Sequence, residues 1–463
     1  MLINMPSNAV KTVFCILFSI PVWSYVVADN AKLSEKLHEI VPQNCADFIQ
    51  DVHQADQPLV VYDATQVMES FLTYYFSPWE NLFLSFSLEE LYEQEKNRVE
   101  KCFQKPGWDL NKRLHTKDFI TEISNNMMLA TFPNLQQPAV VTRTTNLRSF
   151  PCSNPSFSIP EEIPFFDNWQ ESLLSPNEPV HVLHKSQDKA WNFVVTGSHT
   201  CGWVQRDAIA YATPEFIAQW KTGQYVTPLC DNVPVVGNIL APLARVGQLI
   251  PLAQQQNSTD NYSVLTVVTN LEGYAVVKVS TIFKKHTTVM PLLATPNNMA
   301  RMANSLMGQP YGWGGTEGYR DCSAILKDLF VPFGIWLPRN SVAQLKAGTF
   351  VSLEGLKNDQ KEKVIREQGI PFFSLVYMPG HIMLYLGEKE GKVYVYNNLW
   401  SLRTQSPTGT TEKAILGKVV IMPLELSKEY SNITYSRLDQ SKGLILLHDR
   451  LSKPHNELPL LKK

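Results

Sequence analysis

The sequence predicts a multidomain α+β protein with a helical N-terminal region, two small β-barrels and a C-terminal domain that packs a helix on an antiparallel sheet. Three observations lead to this fold class. The chain has 463 residues, more than one core usually organises. Its apolar residues recur at helical spacing up to residue 132 and alternate in short runs from residue 133. From residue 291 a helical pattern returns, followed by further alternating runs.

The N-terminus has the pattern of a secretory leader. Lys11 stands before an apolar run from Thr12 to Trp23, and the small residues Val26 and Ala28 follow. We therefore expect a signal peptide over residues 1–28 and an exported protein, periplasmic or secreted; the alternative is a buried first helix. No later stretch reaches the roughly 18 apolar residues that a membrane span requires, so we expect no integral membrane segment in the mature form.

The charge of the chain bears on nucleic-acid binding, and its cysteine content bears on disulfide bonds. The formal net charge is -2 and no basic run is present, so we expect no nucleic-acid partner. Export would place the cysteines in an oxidising compartment, where Cys45 could pair with Cys102, although the sequence leaves the connectivity open. Six cysteines follow the leader: Cys45, Cys102, Cys152, Cys201, Cys230 and Cys322.

Residues 29–132 are predicted to form a helical domain. In "LSEKLHEIV" and "SLEELYEQEKNRVEKCF" the apolar residues recur at three and four positions, and charged residues fill the rest. This spacing is typical of amphipathic helices that bury one face.

Residues 133–222 and 223–290 are each predicted to form a small β-barrel. Both blocks consist of short runs rich in valine, threonine and aromatic residues, broken by proline and glycine. The first block contains "AVVTRTTNLRSF", "VHVLH", "AWNFVVTGS" and "CGWVQRDAIAYA". The second runs from "PVVGNILAPLARVGQLIPLAQ" to "YSVLTVVTNLEGYAVVKVSTIF".

Residues 291–463 are predicted to form the α+β domain. A helix is expected at "NNMARMANSLMG", and strands at "FFSLVYM", "HIMLYLGE" and "KVYVYNNLW". Near the end, the apolar stretch in "SKGLILLHD" is expected to close the domain.

Cys322 is the candidate nucleophile of this domain. Asp321 is a good N-cap, and the apolar residues that follow Cys322 recur at helical spacing, which places the thiol in the first turn of a helix. The positive end of the helix dipole favours a thiolate, so we expect the pKa of Cys322 to be lowered. The alternative is a buried structural thiol, since free cysteine is commonly buried.

A nucleophilic thiol needs a base and a group that orients the base. His381 follows a Pro-Gly turn at the start of an alternating strand, and Asn397 and Asn398 lie on the next strand. Which asparagine faces His381 depends on the register of the hairpin. The alternatives are a histidine hydrogen bonded at a strand end and asparagines that close a turn. We expect no metal site, because no H-E-x-x-H or complete ligand set is present.

The ordered set of motifs resembles the NlpC/P60 family of papain-like cysteine peptidases. In that family a "Y-x-W-G-G" segment precedes "D-C-S" at a helix start, and a "G-H" strand follows. Here these motifs appear as "YGWGG" from Tyr311, "DCS" from Asp321 and "GH" at Gly380, and "LPRNSVAQ" is similar to a further family element. Some members carry an N-terminal helical region and two bacterial SH3 domains before the peptidase domain, so the resemblance implies SH3-like barrels here.

The resemblance also implies roles for individual residues. Cys322 would be the nucleophile and His381 its general base, with Asn397 as the third member in a position where the family often has histidine; Asn398 is the alternative. Asparagine can orient an imidazole through its carbonyl oxygen. Tyr311 and the backbone N–H of Cys322 would stabilise the oxyanion. A carboxylate from the SH3 barrel or Asp321 could supply the negative charge that Asn340 lacks. The implied substrate-binding residues are Tyr311, Trp313, Asp321, Ser323, Asn340 and Ser341, although Tyr311 and Trp313 could instead be plain core residues.

By this resemblance the protein is expected to be an exported cell-wall hydrolase that needs no cofactor. It would cleave γ-D-glutamyl-diamino acid bonds in peptidoglycan stem peptides or muropeptides. Two alternatives remain open: a related Cys-His amidase or acyltransferase with another substrate, and a peptidoglycan-binding scaffold whose peptidase domain has decayed.

Overall fold

The computed structural model describes residues 37, 41–80, 86–254, 258–405, 411–426, 433 and 436–451. The leader predicted over residues 1–28, most of "LSEKLHEIV" and the polar C-terminal end lie outside the described residues. Within the described ranges, no helix combines the length and apolar character needed to cross a membrane.

The N-terminal region is helical, as predicted. Short 3-10 turns at Cys45–Phe48 and Val52–Gln54 precede the first long helix. A reciprocal capping box between Ser87 and Glu90 starts the second, which covers "LEELYEQEKNRVEKCFQ" and confirms that prediction. The helices are α1 (Ala64–Phe76), α2 (Leu88–Gln104) and α3 (Lys117–Asn126).

The first β unit is a seven-stranded antiparallel sheet with the strand order β3-β2-β6-β5-β4-β1-β7. The buried faces of α2 and α3 pack against it, in a core that contains Phe150, Phe193 and Trp203. Its strands are β1 (Gln137–Val141), β2 (Thr145–Arg148), β3 (Gln170–Leu174), β4 (Pro179–Lys185), β5 (Trp191–Thr196), β6 (Cys201–Gln205) and β7 (Ile209–Tyr211).

A helix that the sequence reasoning missed follows this sheet. Helix α4 (Pro214–Trp220) begins at Thr213, whose side chain accepts from the backbone N–H of Phe216. The signal was present in the sequence, because threonine followed by proline is a common helix start. The helix was missed because the residues before it have the pattern of a β-strand.

The second β unit consists of two small sheets with a shared core of valine, leucine and isoleucine side chains. One sheet has the order β10-β9-β13-β12 and the other β11-β8-β14. The strands are β8 (Tyr225–Pro228), β9 (Val233–Val236), β10 (Leu243–Ala244), β11 (Ile250–Pro251), β12 (Asn261–Thr269), β13 (Ala275–Phe283) and β14 (Thr287–Val289).

The C-terminal domain contains a six-stranded sheet with the order β15-β20-β16-β17-β18-β19. The late apolar stretch forms β20 and pairs with β15 and β16, which confirms that it closes the domain. The strands are β15 (Thr349–Ser352), β16 (Ser374–Met378), β17 (His381–Lys389), β18 (Lys392–Gln405), β19 (Thr411–Pro423) and β20 (Gly443–Leu446).

One apolar helix crosses this sheet and positions the candidate site. Helix α6 packs on β17 and β18, with Ile325, Leu326 and Leu329 in the core of the domain. The helices are α5 (Pro296–Ser305), α6 (Cys322–Phe330), α7 (Ser341–Gln344), α8 (Asn358–Gln368), α9 (Arg437–Gln440) and α10 (His448–Leu451).

All six cysteines beyond the leader are free thiols. Cys45 lies in the core of the C-terminal domain, whereas Cys102 lies in the core shared by α2 and the first sheet. The suggested Cys45–Cys102 bridge is therefore wrong, because each thiol is buried in a different core.

Candidate active site

Cys322 is the first residue of α6, as predicted. Asp321 caps the helix through a 2.9 Å hydrogen bond from the backbone N–H of Ala324. The sulfur of Cys322 is hydrogen bonded by the backbone N–H groups of Ile382 and Ser323, both of which favour a thiolate. Because Ile382 follows His381, the thiol lies against the start of β17.

The electrostatic surroundings of Cys322 differ from the expectation. Burial, helped by the negative charge of Asp321, raises the pKa of the thiol to about 12. Arg339 and the two backbone N–H groups act in the opposite direction but are outweighed. The prediction of a lowered pKa is therefore wrong, because burial disfavours the thiolate and the residue that caps the helix also places a carboxylate near the sulfur.

His381 begins β17 and is oriented by Asn397. Its Nε2 lies 2.8 Å from Oδ1 of Asn397. The amide of Asn397 is fixed in this orientation because its Nδ2 donates to the carbonyl oxygen of Val420 at 3.3 Å. Since a carbonyl oxygen only accepts, Nε2 carries the proton and Nδ1 carries the lone pair that can take a proton from a thiol.

The imidazole of His381 is held neutral. Burial lowers its pKa to about 3, and the positive charge of Arg437 acts in the same direction. The hydrogen bond to Asn397 and the charge of Asp321 raise the pKa but do not offset burial. The site therefore holds a neutral imidazole at His381 and a protonated thiol at Cys322, whose sulfur meets the backbone N–H of the next residue, Ile382.

Asn398 points away from His381. Its Nδ2 donates to the carbonyl oxygen of Arg320 at 2.6 Å, and its side chain is fully buried. The contact ties β18 to the residue that precedes the Asp321 cap. The register thus brings Asn397, and not Asn398, to the imidazole.

Asp321 is occupied by protein groups, contrary to the suggestion that it meets substrate. It forms a bidentate ion pair with Arg339, at 2.6 Å from Nη2 and 3.0 Å from Nη1. It also accepts from the hydroxyl of Ser323 and from the backbone N–H of Gly314. Since these bonds and the helix cap use its oxygens, Asp321 holds the site together and is not available to a substrate amine.

Tyr311 and Trp313 belong to an aromatic cluster that spans two domains. Burial raises the pKa of the Tyr311 hydroxyl, and the proximity of Cys322 acts in the same direction. Phe166 of the first β unit lies 5.4 Å from Trp313 and 5.2 Å from Trp400, measured between ring centroids. Trp313 remains 38% exposed, so part of the surface of this cluster is open.

The other predicted substrate-binding residues surround α6 and α7. Ser323 is buried, and its hydroxyl accepts from Nη1 of Arg339 at 3.1 Å. Asn340 is exposed and caps α7 by accepting from the backbone N–H of Ala343. Ser341 is the first residue of α7 and is half-buried. Of these three residues, only Asn340 and Ser341 therefore have exposed surface.

The loop before Cys322 needs its glycines because β3 packs directly on it. Gly314 and Gly315 have positive φ values of 59° and 92°. A Cβ on Gly314 would lie 2.6 Å from the carbonyl oxygen of Gln170, and one on Gly315 would lie 2.4 Å from Cβ of Leu173. Gln170 also donates to the carbonyl oxygen of Gly314 at 3.1 Å. The glycine pair thus permits contact between domains.

Three site residues were missed by the sequence reasoning. Arg339 lies in the segment "LPRNSVAQ", which the sequence comparison had already singled out, so it could have been found. Phe166 and Arg437 reach the site from distant segments, and no local sequence pattern indicates them.

Across the described ranges, no group of three or more histidine, cysteine or acidic residues could hold a metal. His181 and His184 instead lie against the backbone carbonyls of Pro78 and Met127.

Three family models match the chain in the order of its structural units. Residues 27–132 match the N-terminal NLPC_P60 stabilising domain, residues 155–205 an SH3 domain of the SH3b1 type, and residues 308–399 the NlpC/P60 family. The last match contains Cys322, His381 and Asn397. The chain therefore carries an NlpC/P60 domain preceded by an SH3 domain and a stabilising domain.

Individual relatives agree with this assignment. A solved structure described as a novel NlpC/P60 endopeptidase from Photobacterium damselae subsp. piscicida is 25% identical, with a TM-score of 0.78, and the match covers 88% of this chain and 98% of that one. The gamma-D-glutamyl-L-lysine dipeptidyl-peptidase of Bacillus subtilis (strain 168) is 31% identical over 103 residues, which are 20% of this chain. That match spans about a third of the Bacillus protein, 34% of its length.

Proposed function

We propose that this protein is a cysteine endopeptidase that cleaves γ-D-glutamyl-diamino acid bonds in peptidoglycan stem peptides. The observation that carries the proposal is the 2.8 Å hydrogen bond between His381 Nε2 and Asn397 Oδ1, next to a thiol at the start of α6. This bond leaves Nδ1 of His381 as the base. A nucleophile, a base and an orienting group are the parts that acyl transfer requires.

The reaction proceeds through an acyl-enzyme. Because the thiol and imidazole are both neutral at rest, Cys322 transfers its proton to Nδ1 of His381 as the sulfur attacks the γ-carbonyl carbon. The backbone N–H of Cys322 and the hydroxyl of Tyr311 donate to the oxygen, where negative charge develops. His381 then gives the proton to the leaving amine, and the C–N bond breaks. Water, deprotonated by His381, hydrolyses the thioester and restores the thiol.

The choice of the γ-D-glutamyl bond rests on the relative from Bacillus subtilis, whose name specifies γ-D-glutamyl-L-lysine. The substrate would be a stem peptide or muropeptide, and the diamino acid at the cleavage site is left open. With Asp321 occupied by Arg339, a free substrate amine would have to be recognised by uncharged groups such as Asn340 and Ser341. We therefore expect only weak dependence on a free N-terminal L-Ala.

The two β units would restrict which substrates reach the thiol. We infer that the second unit is also an SH3-like barrel, supported by its two small sheets and shared core. Phe166 of the first unit closes one side of the aromatic cluster around Trp313, which favours short or trimmed peptides over intact wall. Action on the wall would take place outside the cytoplasm, in the periplasm or the medium, after removal of the leader.

Cleavage of defined peptides tests this function. Purified protein would be incubated with L-Ala-γ-D-Glu-diaminopimelate, its α-linked isomer, muropeptides and wall sacculi, and the products would be identified by mass spectrometry. We expect release of the diamino acid from the γ-linked peptide alone. Cleavage of another amide or ester would favour an amidase or acyltransferase, and binding to sacculi without any cleavage would favour a decayed scaffold.

A further inference from the structure

One partly buried arginine close to the candidate catalytic pair has no carboxylate partner in the described part of the chain. Nη2 of Arg437 donates to the carbonyl oxygen of Ser401 at 2.6 Å, and Nη1 lies 3.6 Å from Sδ of Met378. Its Nε is buried and has no hydrogen-bond partner. The charge of the guanidinium acts on both His381 and Cys322.

Three arginines that are more deeply buried than Arg437 all have acidic partners. A buried guanidinium is costly unless it is paired and its N–H groups are satisfied. Each of the following has an aspartate within ion-pair distance: Arg148 with Asp167, Arg320 with Asp231, and Arg339 with Asp321. Arg437 is thus a partly buried cation with spare donor capacity, close to the candidate catalytic pair.

The backbone of Arg437 is held in place independently of any ligand. Ser436 caps α9 in a reciprocal capping box with Asp439. The backbone N–H of Leu438 donates to the carbonyl oxygen of Leu424, and the ammonium of Lys361 donates to the carbonyl oxygens of Leu438 and Asp439. The arginine is therefore preorganised, which reduces the entropic cost of binding an anion.

The neighbours of Arg437 place it on the leaving-group side. Met378, which contacts the guanidinium, is paired with His381 across the β16–β17 hairpin. In the proposed reaction His381 delivers its proton to the leaving amine. The residue that supplies this amine would therefore lie on the side of His381 and Arg437, while Tyr311 and Trp313 lie toward the acyl side.

We propose that Arg437 binds a free carboxylate of the residue that supplies the leaving amine. This inference rests on the proposed function and deepens it. The preferred substrate is then a peptide whose diamino acid is C-terminal and unamidated, because its α-carboxylate is next to the scissile bond. Guanidinium and carboxylate form short, charge-assisted hydrogen bonds, and Nη1 and Nη2 of Arg437 each keep an N–H beyond the one that meets Met378 or Ser401.

The test compares L-Ala-γ-D-Glu-L-Lys with the same peptide amidated at its C-terminus. The two differ in one charge on the leaving residue. We expect the wild-type kcat/KM to be about tenfold or more higher for the acid than for the amide, the size expected of a charge-assisted hydrogen bond. Arg437→Gln should abolish this ratio, and Arg437→Lys should retain part of it. Arg301→Gln, which removes an exposed arginine of α5, should leave the ratio unchanged.

The outcomes separate this inference from the proposed function. Equal cleavage of acid and amide by the wild type would overturn the inference and leave the function standing. If neither peptide is cleaved, the function fails, and calorimetry of both peptides with Cys322→Ala then decides: tighter binding of the acid supports the inference, while equal or absent binding contradicts it. If Arg437→Gln does not fold, as judged by circular dichroism, the wild-type ratio and Arg437→Lys still decide.

Discussion

At the scale of single residues, the direction of one hydrogen bond determines which nitrogen of His381 is free to act as the base in the proposed reaction. Asn397 donates through Nδ2 to Val420 and accepts through Oδ1 from Nε2 of His381. An uncharged amide therefore fixes the tautomer as a carboxylate would, although it gives less support to an imidazolium. This explains how asparagine can stand where the family often has histidine.

Replacing Asn397 tests its positioning role. We expect Asn397→Ala to lower kcat about 10- to 100-fold, because the imidazole loses the group that sets its tautomer and orientation. KM should change little. The measurement is steady-state cleavage of the γ-linked tripeptide, with circular dichroism to confirm folding.

Asn398→Ala is the matched comparison. Because Asn398 donates to the carbonyl oxygen of Arg320 and not to His381, its loss should reduce the melting temperature while kcat stays closer to wild type. A variant pair in which only Asn398→Ala impairs turnover would contradict the assignment of Asn397.

The pH dependence of activity follows from the two shifted pKa values. The active form needs a protonated thiol and a neutral imidazole, and burial raises the pKa of Cys322 to about 12 and lowers that of His381 to about 3. Activity is lost as pH falls through the pKa of His381, so kcat/KM should be flat over about pH 5–9. An acid limb near the ordinary histidine pKa, or thiolate absorbance at neutral pH in wild type minus Cys322→Ala, would contradict a neutral pair.

At the scale of elements, the start of α6 combines two opposing effects. The helix dipole and the backbone N–H groups favour a thiolate at Cys322, and the buried carboxylate of Asp321 disfavours it. The carboxylate is retained because it caps the helix and pairs with Arg339, which joins α6 to the segment before α7. Asp321 thus stabilises the helix, although its charge also raises the pKa of Cys322.

Asp321→Asn should make the thiol more reactive and the protein less stable. Removing the charge lowers the pKa of Cys322, and Arg339, no longer neutralised, lowers it further. The free energy of unfolding should fall by about 3 kcal/mol because a buried ion pair is broken. Alkylation by iodoacetamide against pH, together with urea denaturation, measures both effects.

Glu317→Gln provides the control for that experiment. It removes an exposed carboxylate from the loop before α6 and should leave alkylation unchanged. Equal alkylation profiles for Asp321→Asn and wild type would show that Asp321 does not restrain the thiol.

Elements with strong local periodicity were predictable, and the contacts between them were not. The pattern predicted α2, α5 and the hairpin strands β17 and β18, because each carries its own apolar spacing. Within the site, the N-cap Asp321 was predictable from residue type and position. The raised pKa of Cys322 was not, because it depends on how completely the folded chain buries the thiol. Nor was the register that selects Asn397, since a slip of one residue exchanges the two faces.

At the scale of the whole molecule, both β units are fixed against the C-terminal domain by specific polar contacts. Arg320 forms a bidentate pair with Asp231 of the second unit, at 2.7 and 3.0 Å. Nε of Arg339 donates to the hydroxyl of Ser172 of the first unit at 2.8 Å. These arginines flank α6, so the position of the thiol depends on both β units. Such pairings join residues far apart in the sequence, which is why no local pattern predicted them.

The packing of the first unit on the active-site loop can be tested at its glycines. Gly315→Ala places a Cβ 2.4 Å from Cβ of Leu173 and also strains a positive φ, so we expect a loss of about 2–4 kcal/mol in stability and reduced turnover. Gly318→Ala is the control, because it strains the same region of φ and has nothing within 4 Å of the added Cβ. It should cost only about 1–2 kcal/mol. Equal losses in thermal melts would contradict close docking of the two domains.

The most direct test of the central claim is the release of free diamino acid from L-Ala-γ-D-Glu-diaminopimelate by wild type, Cys322→Ala and Cys152→Ala. Cys152 is a partly buried thiol outside the site, and its removal controls for the loss of a cysteine. We predict that Cys322→Ala abolishes release while Cys152→Ala retains the wild-type rate. Undiminished release by Cys322→Ala would contradict the assignment of Cys322 as the nucleophile.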